Sequence, residues 1–318
     1  MVLTNLLVFL GLCVLLVLSG YLLVKTLSKI AMFLKLSEFV IAFIIMAFAT
    51  SIPELFVGIS SAISKNPALS LGNVIGSNIV DLTFIIGIAV ILARGIKINK
   101  EVRKDSLYMF LIALIPIILM LIGNGLSRID GVVLVSIFGF YSWNVLVNRR
   151  RFKKTLENNI KKLDIILSTV LFLFSLVLLF YSAKYIVKYA TLLSIELALP
   201  PIIIGLFLLA IGTSLPELVF ETSAVLHKHS ELALGDVIGS VVVNSTLVLG
   251  ITALIYPITA NFILFFSSAI FMAVATFLFL TFVYSGNKLD WREGISLIAI
   301  YILFIITELY IKTTGAFI

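Results

Sequence analysis

Charge is scarce in this chain. Only 12% of its 318 residues are charged, while 61% are hydrophobic; an ordinary soluble domain carries about 25% charged residues. With a mean hydropathy of +1.22, there is too little polar surface to cover the apolar mass in water. A soluble fold is therefore excluded, and the chain reads as an integral membrane protein. Segments of about 10 alternating residues, the signature of a membrane β-barrel, are also missing. The long uncharged blocks suit helices, each needing about 20 apolar residues to cross a bilayer.

Cysteine is nearly absent as well. Cys13 stands alone, so no intramolecular disulfide can form, and its place inside an apolar run makes packing its expected role. No basic residue precedes the first apolar run, so that run is expected to stay in the membrane and not to be cleaved as a signal. The chain has no phosphate-binding glycine loop and no nucleophile–base pair. Neither an enzyme nor a nucleotide-driven pump is expected, and no cofactor. The net charge of +7 would suggest nucleic acid in a soluble protein. Here the bases sit in short loops, where they set orientation and touch anionic lipid; no nucleic acid is expected.

What remains is an all-α reading with ten transmembrane helices, over roughly 3–30, 38–63, 69–93, 106–123, 129–147, 164–192, 200–226, 231–256, 262–284 and 293–313. The longest polar interruption, with Arg149, Arg150, Arg151, Lys153 and Lys154, divides them into a first half, 1–147, a basic loop, 148–163, and a second half, 164–318. Placing that loop in the cytoplasm puts 18 Lys and Arg inside against 5 outside. That is a strong positive-inside bias, and it places both termini outside the cell membrane.

Two polar stretches interrupt the apolar sequence. The first runs Ala47-Phe-Ala-Thr50-Ser51-Ile-Pro53-Glu54, then Gly72-Asn73-Val-Ile-Gly76-Ser77-Asn-Ile-Val-Asp81. The second runs Ala210-Ile-Gly-Thr213-Ser214-Leu-Pro216-Glu217, then Gly235-Asp236-Val-Ile-Gly239-Ser240-Val-Val-Val-Asn244, always 163 residues later. The same offset matches Ser19 to Ser182, Lys25 to Lys188 and Gly87 to Gly250. The repeated unit is thus the five-helix half. Five is odd, so the second copy enters the membrane upside down, which marks secondary transporters with a site near the midplane.

The chemistry of the repeat is that of a cation site. Pro53 and Pro216 have no N–H to give and crowd the preceding turn, loosening the carbonyls of Ala47 to Thr50 and of Ala210 to Thr213. Glu54 shares a helical face with Thr50 and Ser51. Ser77 with Asp81, and Ser240 with Asn244, are spaced four apart. The glycines of the motifs let these helices approach closely. Glu54, Asp81 and Glu217 bring up to three negative charges, with hydroxyl and carbonyl oxygens and no sulfur or imidazole. Such hard ligands suit Ca2+ and Na+, and acids inside a membrane are functional by default. Buried carboxylates without a central base disfavour anions.

These paired stretches resemble the two repeats of the cation/calcium antiporter superfamily, most of all its prokaryotic sodium/calcium exchangers. The resemblance implies ten helices in two inverted halves and electrogenic Ca2+ export driven by Na+ entry. It makes Glu54 and Glu217 the central calcium ligands, with the carbonyls of Thr50 and Thr213. Ser51, Ser77, Ser214 and Ser240, with the carbonyls of Ala47 and Ala210, would build the flanking sodium sites. Helices one and six would rock across the core of helices two, three, seven and eight. Three departures stand out. The family's usual Asn and Asp are exchanged as Asp81 and Asn244, and Ala49 and Ala42 replace glycines kept at Gly212 and Gly205. A proton/calcium exchanger and a potassium-dependent sodium/calcium exchanger are the nearest alternatives; a cation channel or a non-transporting membrane protein is the alternative of another class. Protein partners are not legible.

Outside the core motif, Asp236 reads as a cap at a helix start. Glu221 and Asp236 read either as an acidic inner vestibule gathering Ca2+ or, for Glu221, as a water-facing acid paired with Lys228. His227 and His229 read as solvated loop, Trp143 and Trp291 as interfacial anchors, and Ser19-Gly20 with Ser182-Ala183 as small residues permitting sliding.

Overall fold

A computed structural model describes residues 2–33, 47–149, 162–226, 229–259 and 262–313. They form α1 (Val2–Phe33), α2 (Ala47–Thr50), α3 (Ile52–Ile63), α4 (Pro67–Leu92), α5 (Lys100–Gly123), α6 (Arg128–Arg149), α7 (Lys162–Glu196), α8 (Pro201–Leu226), α9 (Ser230–Ile255), α10 (Phe262–Ser285) and α11 (Trp291–Thr313). Among the described residues eight helices are long and apolar enough to cross a membrane: α1, α4, α5 and α7 to α11. Helix α6 carries charge at both ends, and α3 has only 12 residues. Residues 38–46 and most of the basic loop, with Ala42, His227 and Lys228, lie outside the described residues.

The boundaries depart from the sequence reading where side chains extend a helix. Helix α5 starts at Lys100, not near 106, because the Asn99 Oδ1 caps it by accepting from the Val102 N–H at 2.8 Å. A two-residue antiparallel ladder, β1 (Ile96–Lys97) with β2 (Lys288–Leu289), clips the loop before α5 to the loop before α11.

The buried apolar side chains form two clusters. One, around Phe9, Leu16, Leu23, Leu179, Ile186 and Val187, joins α1 and α7 to the flank of the polar helices. The other runs through α4, α5, α9, α10 and α11. Helix α1 lies along α7 and crosses α8 with Gly20, whose Cα faces the rings of both Pro53 and Pro216. The Ser19 and Ser182 hydroxyls turn back onto the carbonyls of Leu15 and Leu178 in their own helices, so neither ties this pair to the core.

The polar helices are broken in ways apolar sequence does not announce. Helix α4 carries a π-turn at Val80–Ile85 and α9 another at Asn244–Val248. The shift to i→i+5 bonding disturbs the carbonyl ladder, and there the Thr83 and Thr246 hydroxyls donate to the carbonyls of Ile79 and Val242. A third π-turn, Gly205–Leu209, lies in α8. Close approach is real on the first half: a Cβ on Gly72 would lie 2.2 Å from the Ile202 carbonyl oxygen, and one on Gly76 2.4 Å from that of Leu206.

Candidate functional site

Four helical breaks meet at the centre. Helix α2 ends at Thr50, and α3 begins with Pro53 in its first turn, leaving Ser51 between them (φ −79°, ψ 2°). Helix α8 breaks in the same way at Ser214 (φ −84°, ψ 4°), ahead of Pro216. Pro suits a first helical turn, where its missing N–H would have no intrahelical partner. Helix α2 packs against α9, and the Ala210–Thr213 segment packs against α4.

The contacts are reciprocal. The Thr50 hydroxyl lies 3.2 Å from that of Ser240 and 3.3 Å from Asp236 Oδ1. At the matched positions the Thr213 hydroxyl lies 3.2 Å from that of Ser77 and 3.1 Å from Asn73 Oδ1. Ser77 also donates to Glu54 Oε1 at 3.4 Å. Asn244 Nδ2 donates to Asn78 Oδ1 at 3.2 Å, and Asn78 Nδ2 donates to the Ser245 hydroxyl at 2.9 Å.

All of the residues singled out from the sequence are buried: Glu54, Glu217, Asp81, Asn244, Thr50, Thr213, Ser51, Ser214, Ser77, Ser240, Ala47 and Ala210. One detail differs. The Ala47 and Ala210 carbonyls are not released from the helix. Ser51 N–H and the Thr50 hydroxyl both reach Ala47 at 3.3 Å, and Ser214 N–H and the Thr213 hydroxyl reach Ala210 at 3.0 and 3.4 Å. Each carbonyl thus already accepts two donors; the Ser214 bond is of ordinary length and the other three are long, so they are the ones most easily exchanged for another partner.

The site also holds more acid than expected. Glu221 and Asp236 are fully buried, so neither faces water in the arrangement described; Lys228 lies outside the described residues. Asp236 is no helix cap either: it lies seven residues into the Ser230–Val243 segment of α9, too deep to cap its start, and holds Thr50. The sequence signal for both was their mismatch with Gly58 and Asn73, read singly. Five buried carboxylates thus cluster within electrostatic range: Glu217 feels Glu54, Asp81 and Asp236, and Glu221 feels Asp236 and Asp81.

Their oxygens are largely bare. Glu54 Oε2, Asp236 Oδ2 and both oxygens of Asp81, Glu217 and Glu221 have no hydrogen-bond partner, nor do the Ser51 and Ser214 hydroxyls or Asn244 Oδ1. No Lys, Arg or His is buried among the described residues. An unpaired buried charge costs several kcal/mol, so such a cluster needs cations from outside the protein. Among the described residues no three acids converge tightly enough to hold a metal ion by themselves. Hydroxyl, amide and backbone oxygens would have to complete the six to eight ligands that Ca2+ takes, roughly.

A profile described as "Sodium/calcium exchanger protein" matches residues 4–147 and again residues 167–310. This chain belongs to the sodium/calcium exchanger family. The two matches are themselves 163 residues apart at both ends. Among exchanger relatives, "Sodium/calcium exchanger MaX1" of Methanosarcina acetivorans is 29% identical, the alignment covering 91% of this chain and 93% of that protein. "Uncharacterized membrane protein MJ0091" of Methanocaldococcus jannaschii is 30% identical over 87% and 88%. Among solved structures, the sodium-calcium exchanger NCX_Mj soaked with 10 mM Na+ and 10 mM Sr2+ superposes with a TM-score of 0.69 at 28% identity, over 96% of this chain and 98% of that one. The exchanger fold therefore extends across essentially the whole chain.

Proposed function

We propose that this protein exchanges Na+ for Ca2+ across a cell membrane by alternating access, without a cofactor. The observation that carries the reading is the cluster of buried carboxylates with bare oxygens and, among the described residues, no buried base, set between two proline-broken helices. Glu54 and Glu217 bind Ca2+ with the carbonyls of Thr50 and Thr213. Ser51, Ser77, Ser214 and Ser240, with the Ala47 and Ala210 carbonyls, serve Na+. Asp81 and Asn244 flank the centre. Because both loads need the two glutamates, they occupy the site in turn, which is the basis of antiport.

The chain is read as ten transmembrane helices in two inverted halves, 1–147 and 164–318, joined by the basic loop 148–163 in the cytoplasm, with both termini outside. Two sets of contacts support the inversion, because each recurs when every residue is replaced by its match 163 positions away. One is the pair Thr50–Ser240 and Thr213–Ser77. The other is Gly87 against the Gly294 carbonyl and Gly250 against the Gly131 carbonyl. Helices α1 and α7, which share one apolar cluster with the flank of α2, α3, α4 and α8, are the moving pair; Gly20 is their sliding contact. Exposed Trp143 and Trp291 lie at the lipid interface.

The test is 45Ca2+ uptake into proteoliposomes loaded with Na+, with K+, or with only a proton gradient. Uptake driven by Na+ alone is expected. Uptake with protons but not Na+ would replace the reading with proton/calcium exchange, a K+ requirement with potassium-dependent exchange, and conductance without a counter-ion gradient with a channel.

A further inference from the structure

Each central threonine has one hydroxyl proton and several oxygens to give it to. On α9, Asp236 and Ser240 are four residues apart and share a helical face. Both reach Thr50, at 3.3 and 3.2 Å. On α4, Asn73 and Ser77 share a face in the same way and reach Thr213, at 3.1 and 3.2 Å. Each threonine also lies near a carbonyl of its own helix, Ala47 at 3.3 Å or Ala210 at 3.4 Å. The positions match, but the outer residue does not: Asp236 stands where the other half has Asn73.

A hydroxyl donates once and accepts twice, so the direction of each proton can be followed. Ser77 donates to Glu54 Oε1, and Thr213 then donates to Asn73, Ser77 or Ala210. Ser240 has no such outlet. Neither oxygen of Glu217 has a hydrogen-bond partner, and among the described residues Thr50 is the one partner of the Ser240 hydroxyl. A buried donor left unbonded is costly, so Ser240 donates to Thr50. Thr50 must then pass its own proton on, to Asp236 Oδ1 or to the Ala47 carbonyl. Asp236 Oδ2 has no partner, so nothing competes with Thr50 for this carboxylate. The two relays therefore run in opposite senses. One ends on a central glutamate; the other leads away from Glu217 and ends on Asp236. Each has a carboxylate as its anchor, and the outer residue is an acid on the flank where the glutamate is out of reach.

We propose that Asp236 is a positioning residue that sets the Na+ affinity of one flank of the site. Acting through Thr50, it draws the Ser240 proton outward and leaves both Ser240 lone pairs available to a cation. By taking the Thr50 proton it also relieves the Ala47 carbonyl of one of its two donors. A carboxylate presents an oxygen to Thr50 whichever way it turns, whereas an amide does so in only one of two orientations. Asp236 holds no ion in this role; it decides how well Ser240 and Ala47 accept one. The role rests on reading those two groups as Na+ ligands.

The experiment measures exchange in proteoliposomes as Na+ and Ca2+ are varied separately. It compares the wild type with Asp236→Asn, Asp236→Leu, Thr50→Val and the double variant Asp236→Leu/Thr50→Val. The rise in melting temperature of the purified full chain on adding Na+ is read in parallel. Asp236→Leu should raise half-saturating Na+ about three- to tenfold, the size of one hydrogen bond, and move half-saturating Ca2+ by less than about twofold. Asp236→Asn keeps an acceptor and should fall between the wild type and Asp236→Leu. Thr50→Val keeps the backbone carbonyl but breaks the relay in its middle, so it should match Asp236→Leu. The double variant should be no worse than either single one, because the two residues act in series. Effects that add in the double variant overturn the relay. Equal shifts in Na+ and Ca2+ dependence overturn it as well, since they mark general damage to the site, and so does wild-type Na+ dependence in Asp236→Leu. If Asp236→Leu does not fold, Asp236→Asn, Thr50→Val and their double variant make the same comparison. If the wild type fails to exchange at all, the transport reading falls. The melting shift then decides the relay, which stands only if Na+ stabilises the wild type more than Thr50→Val and either Asp236 variant.

Discussion

Gly20 is where α1 meets both proline breaks of the site. A Cβ on Gly20 would lie 3.2 Å from Pro216 Cγ and 3.4 Å from Pro53 Cγ. Alanine needs only a few tenths of an ångström of adjustment, but valine or leucine must displace a ring. Those rings close onto the backbone of broken helices and have no rotamer to move into, so α1 has to shift. Overpacking of this kind typically costs about 1–3 kcal/mol, and here it falls on the arrangement described. If α1 slides across the prolines during transport, the other arrangement does not share the penalty. The balance between the two then moves by roughly 5- to 150-fold. In oriented proteoliposomes, the ratio of apparent Ca2+ affinities measured from the two faces should change by that order, and turnover should fall from Gly20→Ala through Gly20→Val to Gly20→Leu. Melting temperature in detergent is the control for simple damage. Gly20→Leu with wild-type turnover and an unchanged two-sided affinity ratio would refute the sliding contact.

Other expectations follow from the same geometry. Glu54→Gln and Glu217→Gln should each abolish 45Ca2+ uptake while raising the melting temperature without Ca2+, because each removes a buried carboxylate with at least one bare oxygen; full uptake by Glu54→Gln would remove the site. Ca2+ at a hundred times its dissociation constant should stabilise the protein by about 2.7 kcal/mol in a thermal shift. Mg2+, which demands a tight octahedron, should not, and equal shifts would speak against a Ca2+-fitted centre. Asn78→Leu strips the acceptor from Asn244 Nδ2 and should destabilise by about 1–3 kcal/mol, read as a lower denaturation midpoint. Gly294→Val places a side chain where a Cβ alone would be 2.9 Å from the Gly87 carbonyl; it should lower the melting temperature yet leave uptake per folded molecule intact.

Much of this was legible in the sequence because a duplicated motif is its own control. Pro53 and Pro216, Thr50 and Thr213, and Glu54 and Glu217 announce the breaks and the central acids, and the structure buries all of them together. The rest was hidden for identifiable reasons. The π-turns at Asp81 and Asn244 lie in apolar helix whose composition suits either hydrogen-bond register. Asn99 extended α5 through a capping bond that helix propensity alone does not reveal. Asp236 looked like a cap because Asx residues favour helix starts, and only tertiary packing reveals Thr50 opposite it. Glu221 lay close in sequence to a cytoplasmic turn, which suggested a water-facing acid; only tertiary packing reveals that it is fully buried.

The bare oxygens bear on why such a carrier exchanges ions instead of leaking them. Each uncompensated carboxylate carried through a low-dielectric centre costs several kcal/mol, and each 1.4 kcal/mol, roughly, is tenfold in a population. Five acids with no buried base among the described residues make the ion-free, fully ionised arrangement unfavourable on both sides of the membrane. It is less favourable still midway, when the site is closed to water. Reorientation is therefore expected only with cations aboard, so the tightness of coupling depends on the charge left uncompensated. Neutralising Glu221, and then Asp236 as well, with Glu54 and Glu217 left intact, should make the empty carrier progressively easier to turn over. Ca2+ efflux into ion-free medium should then rise in the same order as exchange falls. Efflux that stays at the wild-type level across the series would place the barrier to leak in the sliding helices and not in the charge of the site.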